Sequence, residues 1–121
     1  MDNRYLDGSG WETEAGYARA ARLGGRIAVS GTTADGEDTY GQTVNALRRA
    51  LDAVRALGGG VDTVVRTRMF LTPAADWQAA AHAHAELFGA VRPANTTLVV
   101  HSLIGDQFLV EVELDAEVAK P

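Results

Sequence analysis

From Tyr40 onward, apolar residues recur at Val44, Leu47, Leu51, Val54 and Leu57, spacings of three and four that line one face of an α-helix. Gly58-Gly59-Gly60 ends that helix. Upstream, Tyr17–Leu23 and Arg26–Ser30 are short strand-like runs about Gly24-Gly25, and only glycine accepts positive φ cheaply at both centres of a tight turn. They predict a β-hairpin, closed by a loop at Gly31–Gly36 and preceded by an irregular, turn-rich Leu6–Gly10. Val61-Asp62-Thr63 opens a β-branched run through Leu71 that Thr72-Pro73 stops, and a second helix is expected from Ala75 to Phe88 with Asp76 at its N-terminal end. Arg92-Pro93-Ala94-Asn95-Thr96-Thr97-Leu98-Val99-Val100 reads as a rigid turn feeding a strand, and Leu109–Leu114 follows at a hairpin's distance.

The order ββ-α-β-α-ββ predicts one α+β domain over 1–121, with two helices packed on one face of a mixed sheet of four or five strands. The other sheet face is left uncovered. In a chain of 121 residues, copies of itself are the simplest cover, which predicts a homo-oligomer.

Composition narrows the function classes. A hydrophobic share of 46% supports a real core, and a net charge of −5 supplies no basic stripe for nucleic acid. With no cysteine there are no disulfides, thiolate metal sites or cysteine nucleophiles. Met1–Tyr5 lacks the basic and apolar regions of a signal peptide, and no apolar run approaches a membrane span, so a soluble cytoplasmic protein is expected.

Few side chains suggest chemistry on spacing alone. His82 and His84 sit one residue apart on a helical stretch, which separates them and argues against metal; His82 with Glu86 is an ordinary surface pair. His101, between apolar stretches, reads as a strand-end residue. No phosphate loop or Ser-His-Asp order stands out, so no cofactor is expected. Glu111 and Glu113 share strand parity and point to the same face, opposite Val110, Val112 and Leu114. On a covered face such carboxylates would need a partner or water and would gain functional interest.

Nearly the whole chain resembles the RidA/YjgF (Rid) family, often labelled endoribonuclease L-PSP, whose deaminating members hydrolyse reactive enamines and imines. The likeness lies in the order and near-gapless spacing of Gly16-Tyr17, Ile27–Gly31, Gln42-Thr43 through Leu51, Val64–Leu71, Arg92-Pro93-Ala94 and Val110–Glu113. It implies a chorismate-mutase-like fold, a homotrimer and small-molecule clefts between subunits. It also implies that Glu113 orients or activates the attacking water, and that Tyr17, Ser30, Gly31, Asn95 and Thr97 line the cleft. Trp11 and Trp77 are candidate additions to its apolar lining.

Two positions depart from that pattern. Asn95 stands where deaminating relatives place an arginine that grips the substrate carboxylate, and Ala81 stands where many place a pocket asparagine. An amide brings no counter-ion, a loss of ~2–5 kcal/mol for a buried carboxylate. Arg92 and Arg68 are the candidate replacement cations. The expectation is a Rid-type trimer that binds a small metabolite and hydrolyses imines weakly. The alternatives are a non-catalytic ligand-binding or regulatory trimer, and an endoribonuclease or translation inhibitor, which the acidic composition disfavours.

Overall fold

The computed structural model describes residues 3–119, so both ends of the expected 1–121 domain lie outside the described residues. The sequence folds in the order β1 (Arg4–Tyr5), α1 (Glu12–Ala15), β2 (Ala20–Leu23), β3 (Arg26–Thr32), α2 (Thr39–Ala56), β4 (Val64–Leu71), α3 (Trp77–Phe88), β5 (Ala94–Val99) and β6 (Val110–Glu117). One mixed sheet holds all six strands in the order β1-β2-β3-β6-β4-β5. Every pairing is antiparallel except β4 with β5, which run parallel as a strand–helix–strand crossover requires.

α2 and α3 cover one face, as the periodicity predicts. Ile27, Leu47, Leu51, Val54, Leu71, Phe88, Val112 and Leu114 are fully buried between helices and sheet. Both helices start on aspartate caps: Asp38 accepts from the Gly41 N–H at 2.8 Å and Asp76 from the Ala79 N–H at 3.1 Å. Each such cap stabilises a helix by about 1 kcal/mol. The caps are also tied together, because the Asp76 N–H donates to Thr39 Oγ1 at 3.0 Å.

Four expectations are corrected. β2 is shorter than Tyr17–Leu23, because Gly16 turns into the left-handed region and the Tyr17 N–H bonds back to the Glu12 carbonyl. Val61–Thr63 is a 3₁₀ turn rather than the opening of a strand, held by Thr63 Oγ1, which accepts from the Gly60 N–H and donates to its carbonyl. The N-terminal segment, expected to be irregular throughout, adds the one-turn α1 and the edge strand β1.

The fourth correction concerns the last two strands. β5 and β6 do not form a hairpin: they flank β4 on opposite sides, Thr67 facing Asn95 in one ladder and Leu114 in the other. The physical reason is the crossover. A strand entered from α3 comes back parallel to β4 and takes its outer edge, leaving the central slot to β6.

Candidate functional site

β6 lies at the centre of the sheet, where its alternation sorts side chains cleanly. Val110, Val112, Leu114 and Ala116 go under the helices, whereas Glu111, Glu113 and Asp115 go to the open face. Spacing gives Glu111 and Glu113 the same face but cannot separate their roles. Their neighbours do.

Glu113 sits opposite Arg68 on β4, whose Nη1 lies 3.6 Å from Glu113 Oε1 and 3.1 Å from Asp115 Oδ2. Glu111 sits opposite Phe70 and makes no hydrogen bond or ion pair among the described residues. On its other side β3 carries a bulge: three steps from Val29 to Thr32 match two steps from Leu114 to Val112. The extra residue brings Gly31 against the Glu111 carboxylate, so closely that a Cβ there would overlap Oε2. Burial raises the Glu111 pKa, the nearby Glu113 charge raises it further, and Arg19 partly offsets both.

Glu111 and Gly31 line a cleft of about 490 Å³ with Tyr17, Arg19, Arg49, Trp11, Ile104 and Phe108. Its far wall is the N-terminal segment, which an ionic cluster fixes in place. Glu12, 3% exposed, accepts backbone N–H groups from Asp7, Gly8 and Ser9 at 3.2, 3.0 and 3.1 Å. Asp7 accepts from Arg49 Nε at 2.7 Å and Nη2 at 3.2 Å, which holds its carboxyl well below the usual carboxylate range. Arg49 also reaches Ser9 Oγ and the Thr33 carbonyl.

Arg19 is buried beneath Tyr17, its guanidinium carbon 5.6 Å from the ring centroid. Its Nη1 donates to the Gly31 carbonyl at 2.6 Å and to Thr32 Oγ1 at 3.1 Å, while Nε is 3.9 Å from Asp7 and 4.0 Å from Glu12. On the remaining side, Gln42 of α2 holds the loop before β6: Nε2 donates to the Gln107 carbonyl at 3.0 Å and Oε1 accepts from the Leu109 N–H at 2.8 Å. That clamp sets where β6 begins, and so where Glu111 points.

The residues expected to line one site fall into separate groups. Tyr17, Gly31 and Trp11 are at the cleft, and Ser30 faces a second hollow of about 680 Å³ on the other side of Tyr17, its hydroxyl donating to the Ala18 carbonyl at 2.6 Å. Glu113 and Arg68 pair with each other and line neither hollow. Arg92 is exposed, in the left-handed region at φ 55°, on the approach to β5. Trp77 is exposed at the start of α3, and exposed Ala81 lies further along it.

Asn95 and Thr97 point to the helix face, opposite to Glu111. Thr97 Oγ1 donates to Asn95 Oδ1 at 3.0 Å, Asn95 Nδ2 donates to Thr67 Oγ1 at 3.0 Å, and Thr67 Oγ1 lies 2.8 Å from His84 Nε2. Thr67 is fully buried, and its hydroxyl donates to His84 Nε2 or accepts from it according to the ring's tautomer. Burial lowers the His84 pKa, which favours the neutral ring. The expected convergence of Asn95 with the strand-end glutamate does not occur within one chain.

The ionic wall was invisible to spacing. Asp7 and Arg49 are 42 residues apart, and Arg19 lies in a stretch that reads as ordinary strand. The described residues hold no group of three or more His, Cys, Asp or Glu side chains able to bind a metal ion.

Comparison with known proteins agrees with this architecture. A model of the family described as endoribonuclease L-PSP matches residues 9–118. An uncharacterised protein of Streptomyces coelicolor is 43% identical over 120 residues, covering 93% of this chain and 90% of its own. The crystal structure of a Mycobacterium tuberculosis member of the YjgF/YER057c/UK114 family is 40% identical, with a TM-score of 0.91 over 95% of this chain and 98% of that one. The Escherichia coli YjgF gene product shares the fold at 20% identity, with a TM-score of 0.78 over 97% of this chain and 94% of that one.

Proposed function

Because this chain belongs to the endoribonuclease L-PSP family, the YjgF/RidA family, we propose that its cleft hydrolyses a small imine or enamine, with Glu111 as the general base. The observation that carries this reading is a half-buried carboxylate, without an ion-pair partner among the described residues, beside Gly31 and Tyr17 in a cleft of small-metabolite size. A carboxyl with a raised pKa suits both halves of the reaction. Glu111 takes a proton from water as the oxygen bonds to the imine carbon. It then returns that proton to nitrogen and takes the proton of the carbinolamine hydroxyl as the C–N bond breaks, releasing ammonia and a carbonyl compound. We assign the role expected of Glu113 to Glu111, because Glu113 has Arg68 beside it at 3.6 Å, a cation it shares with Asp115.

The test is semicarbazide trapping of imines made in situ by an oxidase. Protein that hydrolyses the imine lowers semicarbazone yield, and Glu111→Gln should abolish that effect. Wild-type protein without effect on any imine would overturn the reading in favour of a non-catalytic ligand-binding trimer.

We further propose a cytoplasmic homotrimer of about 38 kDa, three copies of a 12.8 kDa chain. Its support is a β5 edge exposed along its whole length, including Leu98 and Val99, beside an open sheet face that carries Phe70. Docking β5 of one copy beside the cleft of the next would bring Asn95 and Thr97 towards a neighbour's Glu111. Light scattering that reports a stable monomer at micromolar concentration would overturn this. No helix among the described residues is long and apolar enough to cross a membrane. RNA cleavage is disfavoured by the net charge of −5, which offers no basic surface for a phosphate backbone.

A further inference from the structure

We infer that the cleft selects imines that lack a carboxylate, those derived from primary amines rather than from amino acids; this rests on the imine-hydrolysis reading above. The cleft wall is balanced in charge. Two guanidiniums, Arg19 and Arg49, and two carboxylates, Asp7 and Glu12, form one closed ionic cluster in the cleft wall. Arg49 spends its donors on Asp7, Ser9 and the Thr33 carbonyl. Arg19 spends Nη1 on the Gly31 carbonyl and Thr32; its buried Nε makes no hydrogen bond, and its charge is balanced by Asp7 and Glu12 at 3.9 and 4.0 Å. The fifth charge, Glu111, makes no hydrogen bond or ion pair among the described residues.

A ligand carboxylate entering this cleft meets Glu111 and finds both guanidiniums already neutralised. A protonated iminium nitrogen meets the opposite situation, a carboxylate free to accept its N–H. The rest of the cleft suits an alkyl or aryl substituent, because exposed Trp11 and Ile104 stand with Phe108 at its rim. The residue-95 amide adds no cation, whichever copy presents it. The balanced reaction is iminium plus water giving aldehyde plus ammonium. Both water protons leave on the nitrogen through Glu111, the first taken as the C–O bond forms and the second from the carbinolamine hydroxyl as the C–N bond breaks, and no oxidant is needed. The reaction that supplies this substrate is therefore the oxidation of a primary amine.

The test uses full-length protein and two imines trapped by semicarbazide: one made from phenylethylamine by a flavin monoamine oxidase, the other from L-leucine by an L-amino-acid oxidase. The amine-derived imine should be hydrolysed at least ~10-fold faster. Asp7→Asn, which releases Arg49, should move the ratio towards the carboxylated imine by ~10-fold, since each 1.4 kcal/mol is a factor of ten. A wild-type preference for the leucine-derived imine would overturn the inference while leaving imine hydrolysis standing; Arg92→Ala would then show whether Arg92 holds the carboxylate.

Failure on both imines would overturn the hydrolytic reading instead. Charge selection is then read by Trp11 fluorescence, in a Trp77→Phe background, with phenylethylammonium and phenylacetate as probes. Quenching by the ammonium, lost in Glu111→Gln, supports the inference whether or not Asp7→Asn folds. Tighter binding of phenylacetate, or binding of neither probe, overturns it.

Discussion

Asn95 donates from Nδ2 to Thr67 Oγ1 at 3.0 Å, and this bond turns the residue towards the helices, on the sheet face opposite Glu111. Thr67 is fully buried and is the centre of a relay that also holds His84. Replacing Thr67 by valine keeps the shape and leaves an amide and an imidazole nitrogen without their partner. The expected loss is ~1–3 kcal/mol of stability, read by urea denaturation, and Thr67→Val combined with His84→Phe should lose less than the sum of the two. Additive losses would show that the relay is not one unit.

Because residue 95 faces away from Glu111 within a chain, an arginine there can reach a ligand at Glu111 only from a neighbouring copy. Asn95→Arg should raise turnover of carboxylated imines ~10-fold to ~1000-fold, each factor of ten reflecting ~1.4 kcal/mol. The gain should vanish on dilution below the concentration at which light scattering reports a trimer. A gain that persists in the monomer would contradict the opposite-face geometry.

Glu111 and Glu113 are distinguishable by substitution. Glu111→Gln should lower turnover by ~10²-fold to ~10⁴-fold, the usual worth of a general base, with no loss of stability. Glu113→Gln leaves Asp115 to hold Arg68, so its turnover should stay within about threefold, a difference below ~1 kcal/mol. The reverse result in the same semicarbazide assay would return the role to Glu113.

Gly31 gives a steric test of the same carboxylate. A Cβ at this position overlaps Glu111 Oε2, the far end of a flexible side chain, so Gly31→Ala should fold and yet push the carboxylate out of place. A ~10-fold to ~100-fold fall in kcat, with an unfolding midpoint near wild type, is the expected outcome. Unchanged kcat would show that Glu111 need not stand against Gly31.

The raised Glu111 pKa gives two pH signatures of opposite sense. A base must be ionised, so turnover should fall on the acid side at a pH above the ordinary glutamate value of 4.5. Stability goes the other way. A carboxyl whose pKa is raised by folding destabilises the native state above that raised pKa, and the penalty disappears below the ordinary value. Glu111→Gln should therefore raise the melting temperature at neutral pH and lose that advantage as pH falls below about 4.5. A melting-temperature gain that grows towards acid would mean the carboxyl pKa is lowered instead.

What the sequence determined by itself is what local rules govern. α2 was readable from Val44, Leu47, Leu51 and Val54, and α3 from its own periodicity and Asp76, because a helix closes its hydrogen bonds within a few residues and needs only one apolar stripe. The Gly24-Gly25 turn fixed the β2–β3 register for the same reason, although only Gly24, at φ 60°, takes the positive φ expected of both. The family was readable because those elements keep their order and spacing. Only the tertiary structure decided that β6 enters between β3 and β4, since strand pairing is chosen by contacts between distant segments and the spacing of β5 and β6 fits a hairpin equally well. Parity put Glu111 and Glu113 on one face. The bulge at Gly31 and the neighbour at Arg68 then made one of them a free carboxylate and the other half of an ion pair, and a partner brought in across the sheet leaves no trace in local spacing. The same holds for Arg19 and Arg49, ordinary arginines along the chain that folding closes against Asp7 and Glu12.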